Sequence, residues 1–374
     1  MGTIITRTES FYITLVFWIL SSCMSMTSPS NAAGVTHFVV FIHGLYGNEK
    51  ELLYLQTSMQ KQLREDPNYQ SMKFIFHSAE CNLGLTSDGI VNGGQRLLEE
   101  IQTKMNVLET DDSILHLSMF GNSLGGLYAR YAMAHWNWKD GNVVPFVFCT
   151  ISTPHLGVAN YTYIPIPQWT QRLIATTLGN TGQDLFHRTA ILQEMGTSAQ
   201  YLTPLGNFRK RIAVANAFGT DFQVSSTTAA FLSSQSEYPH HRLQGKDEYA
   251  LIVETRPSID HDPKDMSQCL DNLGWTKIFL DVRDKIRLPS IPLPFSNDAS
   301  IPEDKRTWKS CELEKAMGKL GKYWKLPFGH MVSCANSRDS LNVWMNANGQ
   351  PLMDRLAKDF LEETQSSNSL QNSI

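Results

Sequence analysis

The sequence has no lysine- or arginine-rich block, no Cys-x-x-Cys pair and no internal repeat. Without a basic block, and at a net charge of −4, nothing in it offers a counter-surface to phosphates, which excludes nucleic acid as a partner. Without closely spaced cysteines a structural zinc site lacks its ligand set, so no metal is expected. Charged residues are scarce at 18% and hydrophobic ones make up 42% of 374 residues, enough for one large domain with insertions or for two domains. Long apolar runs are also scarce. Phe11 to Leu20 (FYITLVFWIL) is short for a bilayer span; Arg7 precedes it and Ser30-Asn31-Ala32-Ala33 closes the polar stretch behind it. That is the grammar of a signal peptide over residues 1–33, with an uncleaved anchor or an organellar leader as the alternatives. The expected location is the secretory pathway or a membrane, with an organelle or the cytoplasm as the other options.

Six cysteines occur, and the leader would take Cys23 with it. Cys149, inside the apolar run Val143 to Ile151, reads as a buried free thiol. Cys81, Cys269, Cys311 and Cys334 are spread out, and one or two disulfides among them would suit an oxidising compartment. Asn160-Tyr161-Thr162 is a glycosylation sequon that has meaning only in a secreted chain.

The periodicity alternates from Val35 onward. Val35 to Ile42 (VTHFVVFI) is short and β-branched, as a buried parallel strand should be. Lys50 to Glu65 has helical spacing, Met72 to Phe76 is a strand and Ile90 to Leu108 a long helix. Ser113 to Met119 is a strand, Leu124 to His135 a helix and Val143 to Ile151 a strand. Such alternation predicts a mostly parallel sheet with helices on both faces. Leu156 to Phe208, rich in proline and aromatics (Tyr161, Tyr163, Ile164, Ile166, Trp169), reads as a lid-like insertion over the sheet. Strands follow at Arg211 to Phe218 and, after a polar loop, Gly274 to Arg283. An irregular insertion covers residues 284–325, a final helix spans Pro351 to Glu363, and a disordered tail covers residues 364–374.

Gly121-Asn122-Ser123-Leu124-Gly125 lies between the strand ending near Met119 and the helix opening at Leu124. A G-x-S-x-G in that setting predicts a nucleophile elbow, the strained turn that lifts a serine hydroxyl to the top of a parallel sheet. The motif by itself is common and could be a plain glycine-rich turn, so its partners decide its meaning. A serine hydroxyl needs a base to take its proton and an acid to orient that base, and in the α/β-hydrolase order the acid and then the histidine follow the serine. Asp221 lies just beyond the strand Arg211 to Phe218; Asp184, in the lid-like stretch, is its main rival, while Asp247, Asp260, Asp262 and Asp265 lie in polar loops. His330 stands ahead of the last helix, whereas His240, His241 and His261 sit in charged, loop-like stretches. His155, in Ser152-Thr153-Pro154-His155, precedes the acid and reads as a loop-packing residue, and His43 reads as structural. A tetrahedral intermediate also needs two backbone N–H donors. Leu124, after the nucleophile, supplies one, and Leu45, in the loop His43-Gly44-Leu45-Tyr46-Gly47, the other.

These pieces together resemble the putative serine esterase family of eukaryotic lipase-like α/β-hydrolases. The resemblance is carried by VVFIHGLYGN (Val39 to Asn48), FGNSLGGLYARYA (Phe120 to Ala132), STPHLGV (Ser152 to Val158), the segment Ala215 to Ala230 and LDNLGWTKIFLDVR (Leu270 to Arg283). It covers most of the chain from Val35 to about Glu363. Members usually carry His where Asn122 stands, and an Asn-Asp-Arg acid segment where Asp221 is followed by Phe222-Gln223. The resemblance implies an esterase or lipase on acyl lipids with Ser123, Asp221 and His330 as its triad, no cofactor, and association with a membrane or lipid surface. Acyl transfer or thioester cleavage on the same triad, and a non-catalytic module that binds lipid or protein, are the alternatives.

Overall fold

The computed structural model describes residues 35–108, 114–138, 142–159, 167–217, 220–221, 223–232, 251–257, 265–282, 285–287, 290–292, 323–325 and 329–371. The leader, the sequon with the aromatic cluster Tyr161 to Ile166, Cys311 and most of residues 284–325 lie outside these.

Strands β1 (Val35–Ile42), β2 (Lys73–Ser78), β3 (Ile114–Asn122), β4 (Val143–Ile151), β5 (Lys210–Asn216), β6 (Leu251–Glu254) and β7 (Thr276–Leu280) form one sheet in the order β2-β1-β3-β4-β5-β7-β6. All neighbours pair in parallel except β6, which runs antiparallel to β7 at the edge. The central strands are mostly apolar because both of their faces are covered: β1 from Thr36 onward and β3 from Leu115 onward are buried, the polar Thr36, His37, His116, Ser118 and Asn122 included. This is the α/β-hydrolase architecture, a mostly parallel sheet between helical layers. After β1 the chain steps to one side for β2 and returns to the other side for β3. The crevice opened by that reversal lies at the carboxyl ends of β1 and β3, the place where open α/β sheets put their sites.

On one face, helix α1 (Leu53–Glu65) and the last helix pack together over the sheet. Leu55 and Met59 from the first, and Leu352, Leu356, Phe360 and Leu361 from the second, meet Phe41 and Phe120 of the strands. The Phe360 ring stands edge-on to Phe120 at 5.2 Å between centroids. On the other face lie α2 (Ile90–Leu108) and α3 (Leu124–Ala134). Their axes approach closely because Gly93 and Gly94 leave room for the rings of Tyr128 and Tyr131; a Cβ on Gly94 would come within 2.5 Å of Tyr131.

Between β4 and β5 run α4 (Gln168–Thr177), α5 (Gly179–Leu185), α6 (Ile191–Thr197) and α7 (Ala199–Gly206). The last two belong to the helical layer: α7 packs on α3, and Leu192, Met195 and Leu205 are buried in the same core. By contrast, α4 presents Trp169 and Leu173 to solvent at 71% and 61% exposure.

Three expectations are corrected. Residues 251–254, read as part of a polar loop, form the edge strand β6; four residues beside Thr255-Arg256-Pro257 are too few to show an alternation. The final helix (Gln350–Gln371) carries on through most of the expected tail, with Thr364 and Ser367 buried. Packing there overrides the poor helix propensity of Ser-Ser-Asn-Ser. Finally, Cys81, Cys269 and Cys334 are free thiols, so no disulfide joins those three; Cys149 is a buried free thiol, as its apolar setting predicts. Among the described residues no helix is long and apolar enough to cross a membrane.

Candidate active site

The remaining helices complete the site's frame: α8 (Ser226–Ala229), α9 (Met266–Asp271), α10 (Gly329–Val332) and α11 (Ser340–Asn346), which precedes the final helix, α12 (Gln350–Gln371). Ser123 sits between β3 and α3 with φ 52° and ψ −122°, a left-handed conformation that a non-glycine residue adopts only under constraint. The constraint is visible on each side. The Ser123 N–H donates to Ile151 O at 2.8 Å, tying the turn to the end of β4. A Cβ on Gly121 would lie 2.5 Å from Gly126 N, and one on Gly125 would collide with Ile42 O. The G-x-S-x-G glycines are therefore set by close backbone approach, and the elbow geometry expected from the motif is present.

The loop after β1 packs directly on this turn: a Cβ on Gly44 would lie 2.8 Å from Ser123 Cβ. Leu45 follows Gly44, and Leu124 opens α3, so both expected oxyanion donors flank Ser123 in space. Neither the Leu45 nor the Leu124 N–H has a protein acceptor among the described residues. His43, read as structural, places Nδ1 3.0 Å from Gly44 O in the same loop.

Asp221 and His330 meet across 109 positions of sequence. His330 Nδ1 donates to Asp221 Oδ2 at 2.8 Å, and both side chains are buried. Because a carboxylate only accepts, Nδ1 carries a proton, and in the neutral imidazole Nε2 is then the nitrogen with the free lone pair. Asp221 accepts three further bonds: from Gln223 N at 3.0 Å, Val224 N at 2.8 Å and Asn216 Nδ2 at 3.1 Å. Burial pulls the His330 imidazole toward its neutral form. The Asp221 carboxylate, by charge and hydrogen bond, and then the Glu51 charge outweigh it, so its pKa lies above the ordinary value. The turn carrying His330 is pinned to the sheet through Gly329 N to Thr220 O (2.8 Å) and through Ser333 Oγ, 3.2 Å from Ser152 Oγ. Ser123 and the His330 helix are thus anchored at consecutive residues, Ile151 and Ser152.

The rivals land elsewhere. Asp184 accepts from Ile90 N at 2.8 Å and from Thr189 Oγ1 at 2.7 Å, serving the start of α2. Asp265 accepts from Gln268 N and caps α9. His155 is fully buried. Arg130, which can only donate, gives a proton bond to its Nδ1 at 3.2 Å, so Nε2–H faces Thr150 Oγ1 at 3.0 Å. Burial first, then Arg130 and Lys277, hold its pKa well below the ordinary value, which suits a packing role and not a base. His240, His241, His261, Asp247, Asp260 and Asp262 lie outside the described residues.

Several residues of the site gave no sequence signal. Asn216 bridges Asp221 and Ser152 Oγ (3.0 Å), Ser152 and Ser333 pin the histidine turn, and Glu51 lies buried behind the Gly44 loop. Ser152 and Asn216 do lie in stretches that the sequence marked, Ser152 to Val158 and Ala215 to Ala230, but nothing in it assigned them these contacts. No group of three or more His, Cys, Asp or Glu side chains arranged to hold a metal occurs among the described residues.

Comparison with known proteins adds the following. A putative lipase of Saccharomyces cerevisiae, ROG1, is 30% identical over 233 residues, which are 59% of this chain and 31% of the yeast protein. A second putative lipase of the same yeast, YDL109C, is 26% identical over 200 residues, 50% of this chain and 29% of its own length. The chain therefore spans less than a third of the length of the curated relatives it matches. Among solved structures, phospholipase PlaB from Legionella pneumophila in complex with thio-NAD matches with a TM-score of 0.33 at 14% identity, covering 51% of this chain and 41% of its own. A lipase-esterase related protein from Clostridium acetobutylicum matches with a TM-score of 0.28 at 14% identity, covering 52% and 79%. The family model described as putative serine esterase (DUF676) matches residues 33–233, more than half of the sequence and the whole span from β1 to the segment after Asp221. The chain belongs to that putative serine esterase family.

Proposed function

We propose that the protein is a carboxyl-ester hydrolase acting on acyl lipids through Ser123, His330 and Asp221. The observation that carries this is the buried 2.8 Å bond from His330 Nδ1 to Asp221, which in the neutral imidazole turns Nε2 into the acceptor, taken together with a serine held in an elbow on the same end of the sheet. Ser123 Oγ attacks the acyl carbonyl carbon while His330 Nε2 takes the hydroxyl proton. The carbonyl π electrons move onto oxygen, and the Leu45 and Leu124 N–H groups hold the resulting O⁻; each such donor typically lowers the barrier by about 3 kcal/mol. Collapse breaks the bond to the alcohol oxygen, which receives the proton from His330. Water then attacks the acyl-enzyme by the same route in reverse. Asp221 keeps the imidazole in the working tautomer and supports its positive charge.

An apolar acyl group is favoured by the surroundings of the Gly44 loop. Tyr46, Leu83 and Leu85 expose 60%, 55% and 47% of their surface, and Tyr46 N donates to Thr86 Oγ1 at 3.0 Å, which joins the Gly44 loop to the segment that carries the two leucines. Trp169 and Leu173, one turn apart on α4, are the residues through which a lid or a lipid surface would be met. Transfer to a second alcohol in place of water would use the same groups.

Labelling by a fluorophosphonate probe tests the assignment. Wild type should label, and Ser123→Ala and His330→Ala should not. A folded wild type that never labels would show a non-catalytic binding module. Rates on short nitrophenyl esters, monoacylglycerol, triacylglycerol and phospholipid would then fix the substrate; a preference for short soluble esters would sink the lipid assignment.

A further inference from the structure

Glu51 is 3% exposed, yet no Lys or Arg pairs with it among the described residues. A carboxylate taken out of water without a cation must be compensated by donors. One oxygen, Oε1, takes two: Gly44 N–H at 2.8 Å and Asn122 Nδ2 at 2.7 Å. Gly44 is the residue before Leu45, and Asn122 is the residue before Ser123. A single oxygen atom therefore joins the strand end that presents the nucleophile to the loop that presents the second N–H donor. The Glu51 backbone adds a third segment, since its carbonyl accepts from Ser337 N at 3.3 Å on the stretch that follows His330.

We propose that Glu51 is a positioning residue that sets the spacing between the Leu45 N–H and Ser123 by bonding Gly44 and Asn122 with one carboxylate oxygen. The role presupposes the ester chemistry proposed for Ser123. The Asn122 amide turns its NH2 toward Glu51, while its Oδ1 is buried with no partner, an arrangement that only a strong acceptor opposite Nδ2 would hold. The clamp has little slack, because a Cβ on Gly44 would already crowd Ser123 Cβ at 2.8 Å. Loss of the carboxylate frees the loop to move away from the turn, and a displacement of about 1 Å in such an arrangement can cost about 100-fold in rate.

The charge has a second effect. Two carboxylates bear on the His330 imidazole, Asp221 from beyond β5 and Glu51 from ahead of α1, and both favour its protonated form; Cys334, on the same turn, stays a neutral thiol. A glutamine at position 51 keeps an oxygen acceptor and removes the charge. An alanine removes both.

The experiment uses the full chain with a short nitrophenyl ester and the fluorophosphonate probe between pH 5 and 9, with thermal midpoints as a folding control. Glu51→Ala should lower kcat and the labelling rate about 100-fold with KM within about twofold. Glu51→Gln should recover most of kcat at pH 8, and its acid limb should move to lower pH, because His330 loses one of the charges that favour protonation. Wild-type kcat and labelling in folded Glu51→Ala would overturn the proposal. If alanine does not fold, Glu51→Met, which fills the site but accepts from neither Gly44 nor Asn122, takes its place, and wild-type kcat and labelling in it overturn the proposal; a lowered midpoint alone, with the rate unchanged, would mark Glu51 as merely structural. Wild type that neither labels nor hydrolyses would instead remove the function proposed for Ser123, and this role with it.

Discussion

Two ends of the same sheet bury histidines to opposite effect. At the carboxyl end, His330 is buried against Asp221 and within the field of Glu51, and its pKa rises. At the amino end, His37 and His116 are paired directly across β1 and β3, stacked on Phe74 and Phe146 respectively with centroids 4.8 Å apart in each case. Neither His37 ring nitrogen nor His116 Nδ1 has a hydrogen-bond partner among the described residues. Burial first and His116 second press His37 down to about 3; burial first and Arg209 second press His116 down to about 4. Burial alone makes a histidine a neutral aromatic. Burial with a carboxylate makes it a base that can hold a proton. The same side chain is a neutral packed ring at one end of the sheet and a carboxylate-paired imidazole with a raised pKa at the other, and the difference is the partner, not the depth.

The largest break in this comparison is Asp221→Asn. An amide there would present its NH2 to Nδ1 as readily as its oxygen, favouring the wrong tautomer, and kcat should fall about 10⁴-fold with stability much less affected, checked by ester hydrolysis beside a urea melt. Next is Phe146→Ala, which removes the wall against His37 and His116. It should cost about 3–5 kcal/mol of unfolding free energy, measured by urea denaturation, while the molecules still folded keep their kcat.

Acid stability sharpens the contrast further. His37 and His116 have folded pKa values below the unfolded value near 6.5, so their contribution is intact above pH 6.5 and is lost as pH falls from there toward 4 and 3. At pH 5 that amounts to about 2 kcal/mol for each histidine. Replacing both by Phe should flatten the decline between pH 7 and 5 in urea midpoints. His330 runs the other way: with a raised folded pKa, its contribution is present below 6.5 and is lost as pH rises through the folded value. Its need to be neutral as a base also places the acid limb of kcat/KM above pH 6.5, and a limb below that value would contradict the pairing. The smallest effect is expected for Arg209→Ala. The Arg209 bond to Glu363 at 2.8 Å is part-exposed, so its loss should cost under about 1 kcal/mol at pH 7.5, and relief of its charge should slightly soften the acid decline due to His116.

Much of the frame was legible in the chain. β1, β4 and α2 run between the residues their periodicity marks, because each is long or strongly apolar. Motif and chain order were enough to single out Ser123, Asp221 and His330, since the hydrolase order ties each to the end of a recognisable strand or to the last loop. What could not be read shares one cause. Glu51 meeting Asn122, Asn216 meeting Ser152 and Ser152 meeting Ser333 are contacts between segments brought together only by the sheet, and the residue types involved are common everywhere. β6 was missed because four residues are too few to show a period, and the last turns of α12 because their Ser- and Asn-rich composition argues against a helix.

The free thiols have a practical consequence. Burial raises the pKa of Cys81, Cys149, Cys269 and Cys334 alike, so all four are held as poor nucleophiles at neutral pH. An alkylating reagent aimed at sulfur should therefore leave these positions intact while a phosphonate takes the serine. Once Cys23 and Cys311 are replaced by Ser, that orthogonality permits a cysteine introduced on the surface of α4 to be tagged alone, with the movement of Trp169 and Leu173 followed optically while a phosphonate occupies Ser123.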